Sequence, residues 1–349
     1  MHRRVQLGKR VIGAGEPVYV IAEIGANHNR DFDVAKRLID TAAAAGADAV
    51  KFQTYSGDRI YSKRTPKISS LQAFSEKPAH EVMEAISLPR DWQGMLAEHA
   101  QSRGIDFFSA PFDHQAVDEL HEIGVPLLKI ASFEIGDIPL VRHAAATGRP
   151  LIISTGMATL GEIEEALEAV RTEGGEQVVL LQCTSMYPAP ARLINLRAMA
   201  TMEQAFAVPV GLSDHTTGVA VPIAAAALGA AMIEKHYTLD RTMPGPDHSF
   251  SLEPDELKEL VSGVREARQA LGDGVKAGPS PEERDDLYRV ARRSLVATRD
   301  LPRGTVLERH MLTTKRPGLG IAPRELDRVV GRELKVALSE DDILQWEMI

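Results

Sequence analysis

One pattern limits the folds open to this chain more than any other. Short apolar runs alternate eight times with stretches that carry a helical stripe, over about 270 residues. The runs occupy residues 18–22, 49–52, 106–108, 127–130, 151–153, 178–181, 208–212 and 231–236. Most are continuously apolar, which suits parallel strands buried on both faces. The intervening stretches carry helix signals. Val34, Leu38 and Ala42 form one stripe that Gly46 ends, and Thr159 with Glu162 makes a capping box ahead of Ile163, Leu167 and Val170. Pro254 opens a last helix with Leu257, Leu260, Val261, Val264 and Leu271 on one face and Gly272 as its stop. The size and order predict a (β/α)8 barrel. A doubly wound open sheet competes, but it expects a glycine-rich phosphate loop after the first strand, where this chain has Glu-Ile-Gly-Ala-Asn-His at 23–28.

Polar residues gather where these strands end: Glu23, Lys51, Ser109, Lys129, Ser154, Ser185, Ser213 and His236. Any one of them is explained as a cap or turn residue. Eight together predict a catalytic mouth, because a barrel brings its C-terminal strand ends to one face. The richest stretch is 210–248. Period-two alternation puts Glu234 and His236 on one side with Lys235 on the other, and delivers Ser213 and His215 in the same way. Either histidine alone reads as a satisfied strand-end residue. The pair, flanked by Ser213, Asp214, Glu234 and Asp247, points to a divalent metal with open coordination positions.

Two other segments stand apart from the alternation. Residues 55–89 form a polar excursion too long for an ordinary loop, so it is expected to carry short elements of its own. After 274 the texture changes to a Pro-, Gly- and charge-rich linker with short strand-like pieces at 294–298, 306–307 and 334–336. The expected organisation is a barrel over 1–274, a linker over 275–290 and a small, mostly β domain over 291–349. That last piece is small enough to need a docking surface. The net charge of −9 argues against a nucleic-acid partner. The single Cys183 cannot form an intrachain disulfide and fits a reducing compartment. Arg3, Arg4, Lys9 and Arg10 imitate the start of a signal peptide, but the following apolar run is short and flanked by Glu16 and Glu23. No export segment or membrane partner is expected, and the expected location is the cytoplasm.

The residues also carry a family likeness. AEIGANHN at 22–29, KFQTY at 51–55, KIASFEI at 129–135, STGMATLGEIEEAL at 154–167 and LLQCTSMYPAP at 180–190 resemble the sialic acid (nonulosonate) synthases, as do GLSDHT at 211–216, IEKHYTLD at 233–240 and GPDHSFSLEPDEL at 245–257. RRSLVA at 292–297 and KRPGLG at 315–320 resemble the antifreeze-like (SAF) domain that ends those enzymes. The resemblance implies condensation of phosphoenolpyruvate with an acylamino hexose, with N-acetylmannosamine the first choice and the legionaminate or pseudaminate acceptors, diacetamido-trideoxyhexoses, the alternatives. It implies Mn²⁺ or Mg²⁺ on His215 and His236, and a domain-swapped homodimer in which Arg316 reaches the sugar's acylamino group in the partner's site.

The residues suit this chemistry in their own right. Lys51 and Lys129 offer point charges to a compact anion, and Ser132, Ser154, Ser185 and Ser213 offer hydroxyls and backbone N–H groups. Glu23 is expected at the sugar hydroxyls in proton transfer; Gln53, Glu134 and Tyr187 at the sugar or phosphate; Glu234 and Asp247 behind the metal or at the sugar. Three rivals remain. A heptulosonate or octulosonate synthase would want an arginine-rich pocket for a second phosphate, a Schiff-base aldolase would use Lys129 or Lys235, and a polysaccharide- or ice-binding protein would leave the mouth without metal.

Overall fold

The computed structural model describes residues 4–8, 10–68, 75–284 and 286–349. It divides into two compact units, Met1–Gly272 and Asp273–Ile349. In the first, eight strands form one parallel sheet: β3 (Tyr19–Glu23), β4 (Ala49–Thr54), β5 (Asp106–Pro111), β6 (Leu128–Ile130), β7 (Leu151–Ser154), β8 (Val178–Cys183), β9 (Val210–Asp214) and β10 (Met232–His236). Their order, β5-β4-β3-β10-β9-β8-β7-β6, follows the chain around a ring in which β10 pairs with β3. The remaining seam, between β5 and β6, is closed by packing, with no ladder among the described residues. This is the barrel that the alternation predicts.

The apolar runs become strands because both of their faces are covered. Val20, Ile21 and Ala22 are fully buried, as are Leu38, Ala42, Leu167, Leu257 and Leu260 on the helices outside. Burying each such side chain contributes about 1.5–3 kcal/mol for the larger aliphatics. Local signals set the helix ends. Asp31 accepts hydrogen bonds from the N–H groups of Asp33 and Val34 to start Phe32–Ala45, and Gly46, at φ 84°, ends it in the left-handed region. Both arms of the Thr159–Glu162 capping box are made ahead of Leu160–Thr172.

The N-terminal end of the barrel is closed by an element that the sequence reading treats only as a basic start. β1 (Arg4–Leu7) and β2 (Arg10–Gly13) form an antiparallel hairpin. Val5, Leu7 and Ile12 are buried in the barrel core. The Gln6 backbone N–H donates to Gln177 Oε1 at 2.8 Å, and the Arg10 guanidinium lies over the Tyr19 ring at 5.6 Å while bonding Asp48. Strands of four residues are too short for period-two alternation to stand out. Arg3 and Lys9 lie outside the described residues.

Among its described residues the excursion carries two short helices, Gly57–Ile60 and Ala79–Ile86. Its residues 69–74 lie outside the described residues. In the second unit β11 (Ser294–Ala297) pairs antiparallel with β12 (Leu312–Lys315) over a core that includes Leu295, Leu307, Leu334 and Leu344. The expected strands at 306–307 and 334–336 are not strands: Val306 makes only a single bridge to Glu333, and turns supply the rest. β12, with Thr313, Thr314 and Lys315, lacks the apolar run that would have announced it. No helix among the described residues is long and apolar enough to cross a membrane.

Candidate active site at the C-terminal mouth of the barrel

Strand register decides which side chains share the barrel interior. His236 pairs with Glu23, Glu23 with Lys51, and Glu234 with Ser213, so these side chains point inward together. Lys235 pairs with Asp214 and faces the helices outside, where the ammonium meets Asp214 Oδ2 at 2.5 Å. Ser109 corrects the expectation drawn from strand ends. Its neighbour Phe108 pairs with Lys51, so Ser109 takes the opposite face and hydrogen-bonds Thr54 Oγ1 at 2.7 Å, behind which lies the buried Gln93.

The interior residues form one connected polar cluster. Lys51 Nζ lies 2.8 Å from Glu23 Oε2 and 3.7 Å from Glu234 Oε1. Lys129 Nζ reaches the same Glu234 oxygen at 3.6 Å and donates to Ser154 Oγ at 2.6 Å. Ser213 donates to Glu234 at 2.9 Å, and Gln53 Nε2 to Glu23 Oε1 at 2.8 Å. Two buried ammonium groups from β4 and β6 thus converge on one carboxylate from β10. Burial pushes Glu234 up, but Lys129, Lys51 and the Ser213 hydroxyl outweigh it and hold the carboxyl below its usual range. Burial lifts Glu23 to about 7, with Lys51 opposing and Glu234 adding to the rise. Burial likewise lifts Glu134, in the turn after β6, to about 7.

Beside this cluster Gly156 lets the chain pass close to two hydroxyls. Its N–H donates to Ser132 Oγ at 3.0 Å, and a Cβ there would sit 2.3 Å from Ser185 Oγ and 2.8 Å from Ser132 Oγ. Ser185 Oγ is buried with no hydrogen-bond partner. With Lys129 and Ser154 this makes a cradle of donors suited to phosphate oxygens.

The His215 and His236 rings lie side by side, with centroids 5.3 Å apart. His215 Nδ1 faces the Thr184 carbonyl at 3.0 Å. That contact makes Nδ1 a donor, and although burial pushes the ring down, Cys183 and the Thr184 carbonyl outweigh it and hold His215 above the usual imidazole range. His236 is held well below the usual imidazole range by burial, with His215 and Lys51 adding to the effect, so its ring stays neutral. His236 Nδ1 has no hydrogen-bond partner and lies 3.8 Å from Asp247 Oδ2. The neutral His236, and His215 once its Nε2 gives up a proton, fit a divalent cation, and Asp247 stands beside His236. No group of three or more His, Cys, Asp and Glu converges as a cage among the described residues, so the two rings would leave the other positions to substrate and water.

Tyr187 packs on His215 at 4.3 Å, half exposed, and both Tyr187 and His236 pack on Phe250. Arg316 belongs to the second unit. Sequence reading passes over two neighbours, Cys183 and Phe250, and the contacts between the loops around them. Cys183 lies 3.8 Å from His215 Nδ1, and its pairing with Ser213 turns it inward, a parity that counting along β8 could have given. Phe250 packs beneath Tyr187 and His236, and the Asn27–Ser251 and His248–Asn29 hydrogen bonds bring together the loops after β3 and β10, contacts that no local spacing announces.

Fold and site together define a (β/α)8 enzyme with an anion cradle, a pair of charged lysines and two imidazoles at one mouth. The NeuB family profile matches residues 38–276, and the SAF domain profile matches residues 292–349. The chain is similar to the N,N'-diacetyllegionaminic acid synthase of Legionella pneumophila, with 42% identity covering 97% of this chain and 96% of that one. It is similar to the human N-acetylneuraminate-9-phosphate synthase, with 36% identity covering 97% and 95%. A crystal structure of the N-acetylneuraminic acid (sialic acid) synthetase of Leptospira borgpetersenii superposes with a TM-score of 0.74 at 38% identity, over 82% of this chain and 95% of that one. The chain belongs to the NeuB family of phosphoenolpyruvate-dependent condensing enzymes.

Proposed function

We propose that the chain joins phosphoenolpyruvate to the open-chain aldehyde of an unphosphorylated acylamino hexose, giving a nine-carbon 2-keto acid and phosphate. The observation that carries this reading is the convergence of Lys51 and Lys129 on one buried carboxylate beside the Ser132–Gly156–Ser185 cradle and the imidazole pair. The lysines and the cradle offset the charge of phosphoenolpyruvate and fix its phosphate. C3 of the enol bonds to the aldehyde carbon, and water adds at C2, where positive charge has developed. Phosphate then leaves with cleavage of its C–O bond. Glu23, ionising near 7, is placed to accept and return a proton at this stage. Mn²⁺ or Mg²⁺ held by His215 and His236 would supply Lewis-acid polarisation of the acceptor aldehyde.

The acceptor is expected to lack phosphate, because the charged residues at the strand ends of the mouth are lysines and carboxylates rather than arginines. N-acetylmannosamine is the acceptor that the family resemblance first implies. The 42% identity to a legionaminate synthase supports a diacetamido-trideoxyhexose equally. The proposal includes a homodimer in which Arg316 reaches the acylamino group in the partner's site, which would also give the small second unit a docking surface. A lone buried Cys183 suits a reducing, cytoplasmic setting.

The test is phosphate release from phosphoenolpyruvate with a panel of N-acetylmannosamine, diacetamido-trideoxyhexoses and phosphorylated aldoses. Release is expected with an unphosphorylated acylamino sugar, and EDTA should abolish it. Release only with a phosphorylated aldose would overturn the acceptor, and a borohydride-trapped adduct on Lys129 would overturn the mechanism.

A further inference from the structure

We propose that the Asp214–Lys235 ion pair, on the outer face of the barrel wall, is a positioning device that sets His215 and His236 relative to each other; this rests on the metal reading above. The two side chains pair across β9 and β10 and are almost wholly buried. Lys235 also donates to the Thr216 carbonyl oxygen, while Asp214 accepts from the Thr216 N–H at 3.1 Å and from its hydroxyl at 2.9 Å. The residues on both sides of His215 are therefore tied to one ammonium group, and that group belongs to the residue immediately before His236. Alternation turns the imidazoles inward while their chain neighbours are bolted together behind them. A shift of either strand end has to break this outer network before it can move a ring.

The energetics favour such a role over simple stabilisation. A buried ion pair is often no more stabilising than apolar side chains of similar volume, because desolvation offsets the attraction. The helix Ala220–Ala227 outside is alanine-rich, and its Ala225 and Ala226 are fully buried, so an apolar filling would suit this layer. What an apolar pair lacks is direction: it would leave the turn at residues 214–216 without the donors and acceptors that fix it.

The experiment compares Mn²⁺ binding by the full-length protein, read from the electron paramagnetic resonance of free Mn²⁺, with thermal unfolding. In the double variant Asp214→Leu/Lys235→Met, the Mn²⁺ dissociation constant is expected to rise about tenfold or more, as for other groups that orient metal ligands, while the melting temperature stays within a few degrees. Lys235→Arg, which keeps a donor, should restore affinity to within about threefold of the wild type. If the apolar double variant does not fold, Asp214→Asn/Lys235→Met keeps an acceptor for the Thr216 N–H and should show the same weakening. A lowered melting temperature with Mn²⁺ affinity within about twofold of the wild type would overturn the inference and leave the pair a purely structural one. Wild-type protein that binds no Mn²⁺ would overturn the metal reading, and this inference with it.

Discussion

Both ends of the barrel carry charged groups and treat them differently. At the N-terminal end Asp48 accepts from Arg10 and from the Val20 N–H at 2.9 Å, and the Tyr19 hydroxyl donates to Asp106 at 2.7 Å. These groups find their partners within that same end. At the C-terminal mouth Ser185 Oγ, Glu134 Oε2, Glu234 Oε2 and His236 Nδ1 are buried with no hydrogen-bond partner. Each such group costs about 1–3 kcal/mol unless something completes it. Charge alone therefore does not distinguish a site from a plug. Incomplete polar satisfaction does, because a substrate or cation can supply what the chain leaves open.

If the mouth is incomplete for that reason, removing its groups should harm turnover and spare the fold. The largest effect is expected for His236→Ala and His215→Ala: turnover falls by about a thousandfold, since Lewis-acid assistance amounts to several kcal/mol. Melting temperature should hold or rise in His236→Ala, because a buried group without a partner has gone, and fall modestly in His215→Ala, which takes the partner of the Thr184 carbonyl. Steady-state kinetics and calorimetry on the same preparation check both halves, and wild-type activity in either variant would remove the metal assignment. A smaller loss is expected for Gly25→Ala. Gly25 adopts φ 53°, and a Cβ there would stand 2.8 Å from Asp247 Oδ2 and 3.3 Å from Glu23 Oε1. Displacing these carboxylates should lower kcat/KM for the sugar about 10- to 100-fold and leave KM for phosphoenolpyruvate within about threefold. Gly8→Ala, at φ 58° with open space around it, supplies the same backbone strain without the crowding. Equal losses in the two variants would assign the effect to strain.

The other end predicts the converse. Asp48→Ala leaves Arg10 and the Val20 N–H without their acceptor, and should destabilise the protein by about 1–3 kcal/mol with kcat unchanged. A fall in kcat per folded molecule would show that the two ends are coupled. The pair of measurements, stability without turnover below and turnover without stability above, is the sharpest form of the comparison.

How much of this is legible in the sequence depends on how local the cause is. The barrel is legible because each strand and helix announces itself over a few residues, and Glu234, Lys235 and His236 can be sorted inward and outward by parity alone. Ser109 misleads because a strand-end position does not fix parity, and its register with Phe52 turns it away from the interior. The β1–β2 hairpin is too short to show its period, and β12 is held by its ladder to β11 rather than announced by an apolar run. Cys183 beside His215 follows from parity along β8, whereas Phe250 behind His236 and the cradle at Gly156 depend on loops meeting at the mouth, which spacing along the chain does not encode. The Asp214–Lys235 pair lies between: the alternation puts Lys235 outside, yet only the register shows what it meets.

The smallest effect concerns Glu134, whose carboxyl is lifted by burial from 4.5 to about 7. A group with a raised value in the fold binds its proton more tightly there than in the unfolded chain. Its contribution to stability is therefore complete below the unfolded value and is lost as pH rises through about 7. From about pH 6 to about pH 8 the loss is about 1 kcal/mol. Glu23 titrates in the same window, so the comparison is made against Glu134→Gln rather than on the wild type alone. Urea unfolding of metal- and substrate-free protein should show wild-type stability falling more steeply than that of the variant across this interval. Parallel curves would mean that Glu134 is solvated in the free enzyme, and its open oxygen would then no longer set the mouth apart from the plugged end.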